Sequence, residues 1–345
     1  MTKQQLQEWL KMPASTRLNI FTEVAGRMGL PASVIEKDWW VVRTLELIFQ
    51  TEIAPYTVFK GGTSLSKAWN LINRFSEDID LALDRKFLGF DKTDKEMTGS
   101  QVKKLRKTSC QYIAENYLPL LQQAFSQAGF TEVKLRLIPI QSADEDPVKI
   151  EVAYPVLTEK MTYINPSVLI EIGSRSEREP FSERQISSFV GQHFEGRNFA
   201  DSSITIQVVN PERTFLEKIF LLHEEFQQPY EKVKIDRMSR HLYDLEKLMD
   251  TAFGEIALAD KNLYQHIVEH RRTITPVRGI DYANHAPDKI NIIPPVNTMT
   301  AWKKDYEQMQ QSMIFGESLS FDKLMERISE LNNRIKKMLN DKQKL

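Results

Sequence analysis

The sequence predicts an α/β (α+β) fold: a mixed sheet flanked by N-terminal helices and a C-terminal helical bundle. Three observations predict it. Residues 1 to about 50 carry helical periodicity. Between Thr57 and Val209, short β-branched runs are interleaved with helical stretches, the pattern of helices packed on a sheet. From Pro211 the helical period returns, with Pro placed where a first turn tolerates it.

In chain order, Ser15 precedes a periodic run through Gly29. Ser33 with Glu36 three residues on predicts a capping box for a helix through Trp39, Trp40, Val42, Leu45, Leu47 and Ile48. Its apolar residues crowd more than one face, so burial is expected. Lys37-Asp38 in its first turns reads as a solvated pair, with Asp38 near the positive helix end. Thr57-Val-Phe59 is a strand ending at Lys60-Gly61-Gly62, and a helix is expected from Thr63 to about Ile72. Ile79–Leu83 is a strand, and residues 100–129 form one long helix. Further strands are expected at 133–138, 148–154, 168–172 and 204–209, with a loop and a short helix between 174 and 200. Helices follow at about 211–226, 236–252, 256–271, 298–315 and 319–342, with an ordered loop at 273–297 and a frayed Lys-rich end from Lys336 to Leu345.

Composition narrows the function. Only Cys110 is present, which excludes a disulfide framework and a cysteine zinc cluster and fits a reducing compartment. The 46 basic and 47 acidic residues leave a net charge of −1, so any nucleic-acid contact needs a local patch. Lys103, Lys104, Arg106 and Lys107 form one candidate and Arg271-Arg272 a second; a charge cluster is more commonly a solvated face. No apolar run is long enough to span a bilayer or serve as a signal peptide, so no membrane role and a cytoplasmic location are expected.

The chemistry concentrates in Phe59-Lys-Gly-Gly-Thr-Ser-Leu-Ser-Lys67 and Arg74-Phe-Ser-Glu-Asp-Ile-Asp-Leu81. A strand that ends at Gly61-Gly62 and opens into a helix lets backbone N–H groups approach a phosphate, with Thr63 and Ser64 adding hydroxyls. Asp78 and Asp80, two apart on a strand, face the same side. Paired carboxylates beside a phosphate-binding turn suit Mg²⁺ or Mn²⁺, hard cations that share ligands with substrate phosphates. Taken singly, a Gly-Gly turn and an Asp-x-Asp are each commonplace.

Together, with 15 residues between Gly62 and Asp78, these motifs resemble the DNA polymerase beta-type nucleotidyltransferases. The longer strings resemble the AbiEii/AbiGii toxin family of type IV toxin–antitoxin systems, over about residues 33–250. The run Trp302-Lys-Lys-Asp-Tyr306 to Phe315 also looks like this family. The resemblance implies a polymerase beta-type nucleotidyltransferase core at 1–210 and a helical domain at 211–345 closing the active-site cleft. It implies transfer of a nucleotide from an NTP to an acceptor, with RNA and the tRNA 3′ end as candidates. It also implies two metal ions in an in-line displacement, and a toxin restrained by a separately encoded antitoxin. Asp78 and Asp80 match its metal ligands. Gly61, Gly62, Thr63, Ser64, Lys67 and Arg240 fall to the nucleotide. Lys218 in Pro211-Glu-Arg-Thr-Phe-Leu-Glu-Lys and Asp244 in Ser239-Arg-His-Leu-Tyr-Asp match its later helical residues. Many relatives carry an acid where this chain has His241. The third carboxylate is expected to be Glu171, whose Gly173-Ser-Arg175 tail resembles the family's third strand, or else Glu151, with neither as the remaining alternative.

Plainer roles stand beside these. Lys218 suits a core edge from which its amine reaches water, Asp244 a pair with Arg240 one turn back, and His241 and His223 ordinary packing. Two other functions compete: a metal-dependent glycosyltransferase holding a nucleotide sugar with Asp-x-Asp, and a nucleotide- or RNA-binding module with impaired catalysis. The first wants strand–helix units ahead of Asp78, where this chain reads helical. The second draws on His241. A haloacid-type phosphatase fits poorly, because Leu81-Ala82 follows Asp80.

Overall fold

A computed structural model describes residues 2–76, 78–159 and 165–338. Glu77 of the acidic motif, and residues 339–345 of the expected last helix and frayed end, lie outside the described residues. The chain divides into two compact units. The first comprises residues 1–70, 75–91 and 100–209, and the second 71–74, 92–99 and 210–345.

The first unit holds helices α1 (Lys3–Lys11), α2 (Ala14–Met28) and α3 (Ala32–Phe49), strand β1 (Thr57–Lys60), α4 (Gly61–Lys67) and β2 (Asp78–Leu83). Then come α5 (Gly99–Tyr112), α6 (Leu118–Gln127), β3 (Lys134–Leu137), β4 (Val148–Ala153), β5 (Val168–Gly173), β6 (Phe181–Ile186), α7 (Phe189–His193) and β7 (Ile204–Val209). The strands form one sheet in the order β3-β4-β5-β2-β1-β7-β6. It is mixed, as expected: β1 is parallel to β7 and β2 to β5, and the other neighbours are antiparallel.

Alternation explains how the sheet seats itself. Ile79 and Leu81 on β2, Ile170 and Ile172 on β5, and Ile150 and Val152 on β4 all enter the main core. Their neighbours Asp78, Asp80, Glu171, Lys149 and Glu151 take the opposite, half-buried face. On that second face Val58, Ala82 and Val209 form a small apolar cluster, with Phe181 packed against it.

Helix α3 is buried from Val34 to Ile48, as its apolar crowding predicts. Trp39 stacks on Trp9 with centroids 4.7 Å apart, and Trp40 stacks on Tyr154. Two expectations for this helix fail. The cap is Pro31 rather than Ser33, with no side-chain hydrogen bond. Glu36 sits too far into the helix to close a box; it accepts from the N–H groups of Leu157 (2.8 Å) and Thr158 (3.0 Å). Nor is Lys37-Asp38 solvated: each is 1% exposed. Lys37 Nζ donates to Asn165 O, while Asp38 accepts from the Phe189 N–H and pairs with Lys67 at 2.6 Å. Deeply placed charges need such partners. Arg43, paired with Glu46 and Asp201 in the same core, obeys the same rule.

Lys67 therefore supports the fold. Its ammonium lies against Asp38 and 4.1 Å from the centre of the Phe189 ring. We expect Lys67→Met to cost about 3–5 kcal/mol by leaving Asp38 buried and unpaired, and Asp38→Asn/Lys67→Met to recover much of it. Urea midpoints of the three proteins check this; a single variant within about 0.5 kcal/mol of wild type would mean the pair is dispensable.

Three sequence boundaries move. Helix α4 ends at Lys67, short of Ile72, and Asn70 takes a left-handed φ of 52° soon after. The long helix is interrupted: a π turn, Ile113–Tyr117, separates α5 from α6 just before Pro119, which has no N–H to continue the regular ladder. Strand β6 falls in the segment read as loop. It is an edge strand, Phe-Ser-Glu-Arg-Gln-Ile, largely exposed, and such an edge needs little apolar pattern.

The second unit contains α8 (Pro211–Glu225), α9 (Ser239–Leu248), α10 (Ala252–Ala259), α11 (Lys261–Thr273), α12 (Met299–Ser312) and α13 (Phe321–Lys337). Its core includes Phe215, Leu216, Ile219, Leu242, Leu245, Trp302, Tyr306, Leu324, Ile328 and Leu331. The helix expected over 256–271 is two, because Thr251 caps α10 and Asp260 caps α11. Lys336 and Lys337 still belong to α13.

His223 is a core residue, as its plainer reading held. Its Nδ1 accepts from the Asn291 N–H at 3.1 Å, so the neutral ring carries its proton on Nε2, which meets Asn284 O at 2.9 Å. Burial, with His285 beside it, pushes the ring down to about 4. An unfolded histidine titrates near 6.5. Below that pH the unfolded chain takes a proton that the folded unit refuses, so stability is lost as pH falls from about 6.5 toward 4. We expect His223 to contribute about 2–3 kcal/mol of the loss between pH 7 and 4.5. Denaturant titrations at both pH values should show a smaller loss for His223→Gln; an equal loss would remove His223 from the acid sensitivity.

Candidate active site

In the first unit the site grows from the β1–α4 turn. Gly61 has φ +80°, a conformation suited to glycine. A Cβ there would lie 1.9 Å from Asp80 Oδ2, so the missing side chain is what lets the carboxylate lie against the turn. Thr63 and Ser64 are buried, and their hydroxyls are engaged inside the turn rather than offered outward. Thr63 Oγ1 donates to Asp78 O at 2.5 Å and Ser64 Oγ to Gly61 O at 2.8 Å. The first of these ties the helix to the opening of β2, fixing Asp78 against the turn.

Sheet register decides which carboxylates are neighbours. Lys60 on β1 is opposite Asp80 on β2, Asp80 opposite Glu171 on β5, and Glu171 opposite Lys149 on β4. The next row on the same face runs Asp78, Leu169, Glu151, Arg136. Glu171 is thus one strand from Asp80. Glu151 is two strands from Asp78, with Leu169 between them, and it is hydrogen-bonded to Arg136.

Lys149 is the residue that sequence reasoning missed on this face. Its Nζ lies 2.7 Å from Glu171 Oε1. That hydrogen bond raises its pKa against a desolvation penalty, with help from the charges of Glu171, Asp78 and Asp80. Asp78, Asp80 and Glu171 put three carboxylates on one face of adjoining strands, hard oxygen donors of the kind that Mg²⁺ or Mn²⁺ takes.

The second unit holds the other group. Asp244 is fully buried and accepts from Arg74 Nε at 2.7 Å and Nη2 at 2.8 Å, a two-point clamp. Lys218 Nζ on α8 lies 2.9 Å from Asp244 Oδ2, the oxygen that Arg74 Nη2 also reaches. Burial alone would raise the Asp244 pKa, but Arg74 and Lys218 outweigh it and hold the carboxyl well below its usual range. Burial draws the Lys218 ammonium below its ordinary value, against the pull of Asp244. His241 is buried, with Nδ1 3.4 Å from Lys218 Nζ, and burial with the adjacent Lys218 charge keeps its ring neutral.

Neither Lys218 nor Asp244 points to solvent. Arg74, whose role the sequence did not reveal, takes the place expected of Arg240, which is half-buried. Of the basic patches, Lys103, Lys104 and Lys107 are exposed, while Arg106 pairs with Asp144. Arg271 and Arg272 are paired with Glu224 and Glu269, so they do not form a free patch.

Comparison with curated proteins returns no match. A family described as nucleotidyl transferase AbiEii toxin, type IV TA system, matches residues 43–327. That span takes in the glycine turn, both aspartates, Glu171, Lys218 and Asp244, and with it the chain belongs to the AbiEii family of nucleotidyltransferase toxins.

Proposed function

We propose that this protein transfers a nucleoside monophosphate from an NTP to an RNA acceptor, with the tRNA 3′ end the first to test. In this reading it is a cytoplasmic toxin opposed by a separately encoded antitoxin. The observation that carries the reaction is the register of β1, β2 and β5, which makes Asp80 and Glu171 direct neighbours and puts Asp78 on the same face beside the Gly61 turn. Bound Mg²⁺ or Mn²⁺ would supply charge neutralisation for in-line displacement at the α-phosphate, in which the acceptor hydroxyl oxygen forms the new P–O bond, gives up its proton and pyrophosphate leaves. Asp78, Asp80 and Glu171 would hold the metal. Gly61 and Gly62, lacking side chains, let the backbone come close to the triphosphate.

Lys218 is assigned to the phosphates and Asp244 to positioning Lys218, with Arg74 holding Asp244. Among Arg74, Lys218, His241 and Asp244 the neutral histidine leaves one excess positive charge, which suits an anionic substrate. We assign residues 1–210 to the nucleotidyltransferase domain and 211–345 to the helical domain. The same histidine favours the second reading, a nucleotide- or RNA-binding module with impaired catalysis. Incubation with each labelled NTP, Mg²⁺ and total RNA separates the two: label carried into RNA supports transfer, and tight NTP binding without transfer supports the module.

A further inference from the structure

Glu171 already has a cation, and the chain supplies it. In one register row the carboxylate stands between Asp80 and Lys149, and the Lys149 ammonium lies 2.7 Å from its Oε1. Opposite charges facing each other across strands are ordinarily a minor surface stabilisation. This pair differs in what surrounds it. Its acid belongs to a group of three carboxylates on one face, which repel one another when no counter-ion is near. Its lysine comes from β4, with the side chain 42% exposed, so it has room to swing away on a flexible stem.

Resting on the metal reading above, we propose that Lys149 is a tethered counter-ion, neutralising the acidic face while no metal is bound and giving up Glu171 when a divalent cation arrives. Metal loading is then an exchange of cations, and Lys149 sets the affinity of the site. An ammonium and a directly coordinated Mg²⁺ or Mn²⁺ compete for the same carboxylate, and the ammonium's charge also repels the incoming ion. The half-exposed setting limits the size of the effect to that of a surface ion pair. An arginine in its place would clamp the carboxylate at two points and hold it harder.

The test is Mn²⁺ binding by the full chain, read as free Mn²⁺ by electron paramagnetic resonance, with no nucleotide present. Lys149→Met should bind Mn²⁺ about fivefold more tightly than wild type, the upper end of what an exposed pair is worth. Lys149→Arg should bind more weakly than Lys149→Met. In chelator, Lys149→Met should melt below wild type and regain the difference when Mn²⁺ is added. Equal or weaker binding by Lys149→Met, with binding still lost in Asp78→Asn, overturns the exchange and leaves the metal site standing. No Mn²⁺ binding by either protein, or binding indifferent to Asp78→Asn, overturns the metal reading and the exchange with it.

Discussion

Asp78→Asn and Asp80→Asn should each lower nucleotide transfer by at least about a hundredfold, the scale of losing one group that stabilises transition-state charge, while the fold survives. Both side chains are half-buried on the sheet face away from the main core. Asparagine keeps their shape and can still hydrogen-bond, so melting temperatures in chelator should stay close to wild type. Glu171→Gln should follow the aspartates, because Glu171 is the register neighbour of Asp80. Glu151→Gln should cost much less, because Glu151 stands beyond Leu169 and is bonded to Arg136. The measurement is label transfer to RNA, with circular dichroism to confirm folding. A variant of Asp78 or Asp80 with near-wild-type transfer would remove the metal site from the mechanism. The reverse order of the glutamates would move the third ligand to β4.

The glycine turn, both aspartates and the central strands were legible because each is written in contiguous residues. Ile79–Leu83, 148–154, 168–172 and 204–209 alternate or run apolar at lengths natural to strands, and all four are strands. What was not legible depends on partners distant in sequence. Lys37 and Asp38 look like a surface pair in a first helical turn; their burial depends on Asn165, Lys67 and Phe189. Lys149 is two residues from Glu151, and only the β4–β5 register reveals that it faces Glu171 instead. Edge strand β6 escaped notice for the opposite reason: an exposed edge places few demands on its residues. The choice of Glu171 over Glu151 stands between these cases. Sequence supplied two candidate acids on two strands, and strand order supplies the reason to prefer one.

Arg74 shows how a motif can conceal two jobs. It opens the string that ends in Asp78 and Asp80, yet its guanidinium belongs to Asp244, 170 residues later. This arrangement gives the last prediction its form. Asp244→Ala should destabilise the protein by about 3–5 kcal/mol, because it leaves the buried charges of Arg74 and Lys218 without their carboxylate. Lys218→Met should behave differently. Asp244 keeps its two-point clamp to Arg74, and methionine fills a buried site of similar volume, so stability should stay within about 1 kcal/mol of wild type. Transfer, however, should fall sharply in Lys218→Met, with a raised nucleotide requirement, because the proposed function gives that ammonium to the phosphates. The decisive comparison sets KM for the NTP and kcat beside the urea midpoint for each variant. If Lys218 serves only to neutralise Asp244, then folded Lys218→Met will retain wild-type KM and kcat, and the helical cluster will have no part in the chemistry. If both variants lose activity only in proportion to the fraction unfolded, the same conclusion holds for Asp244.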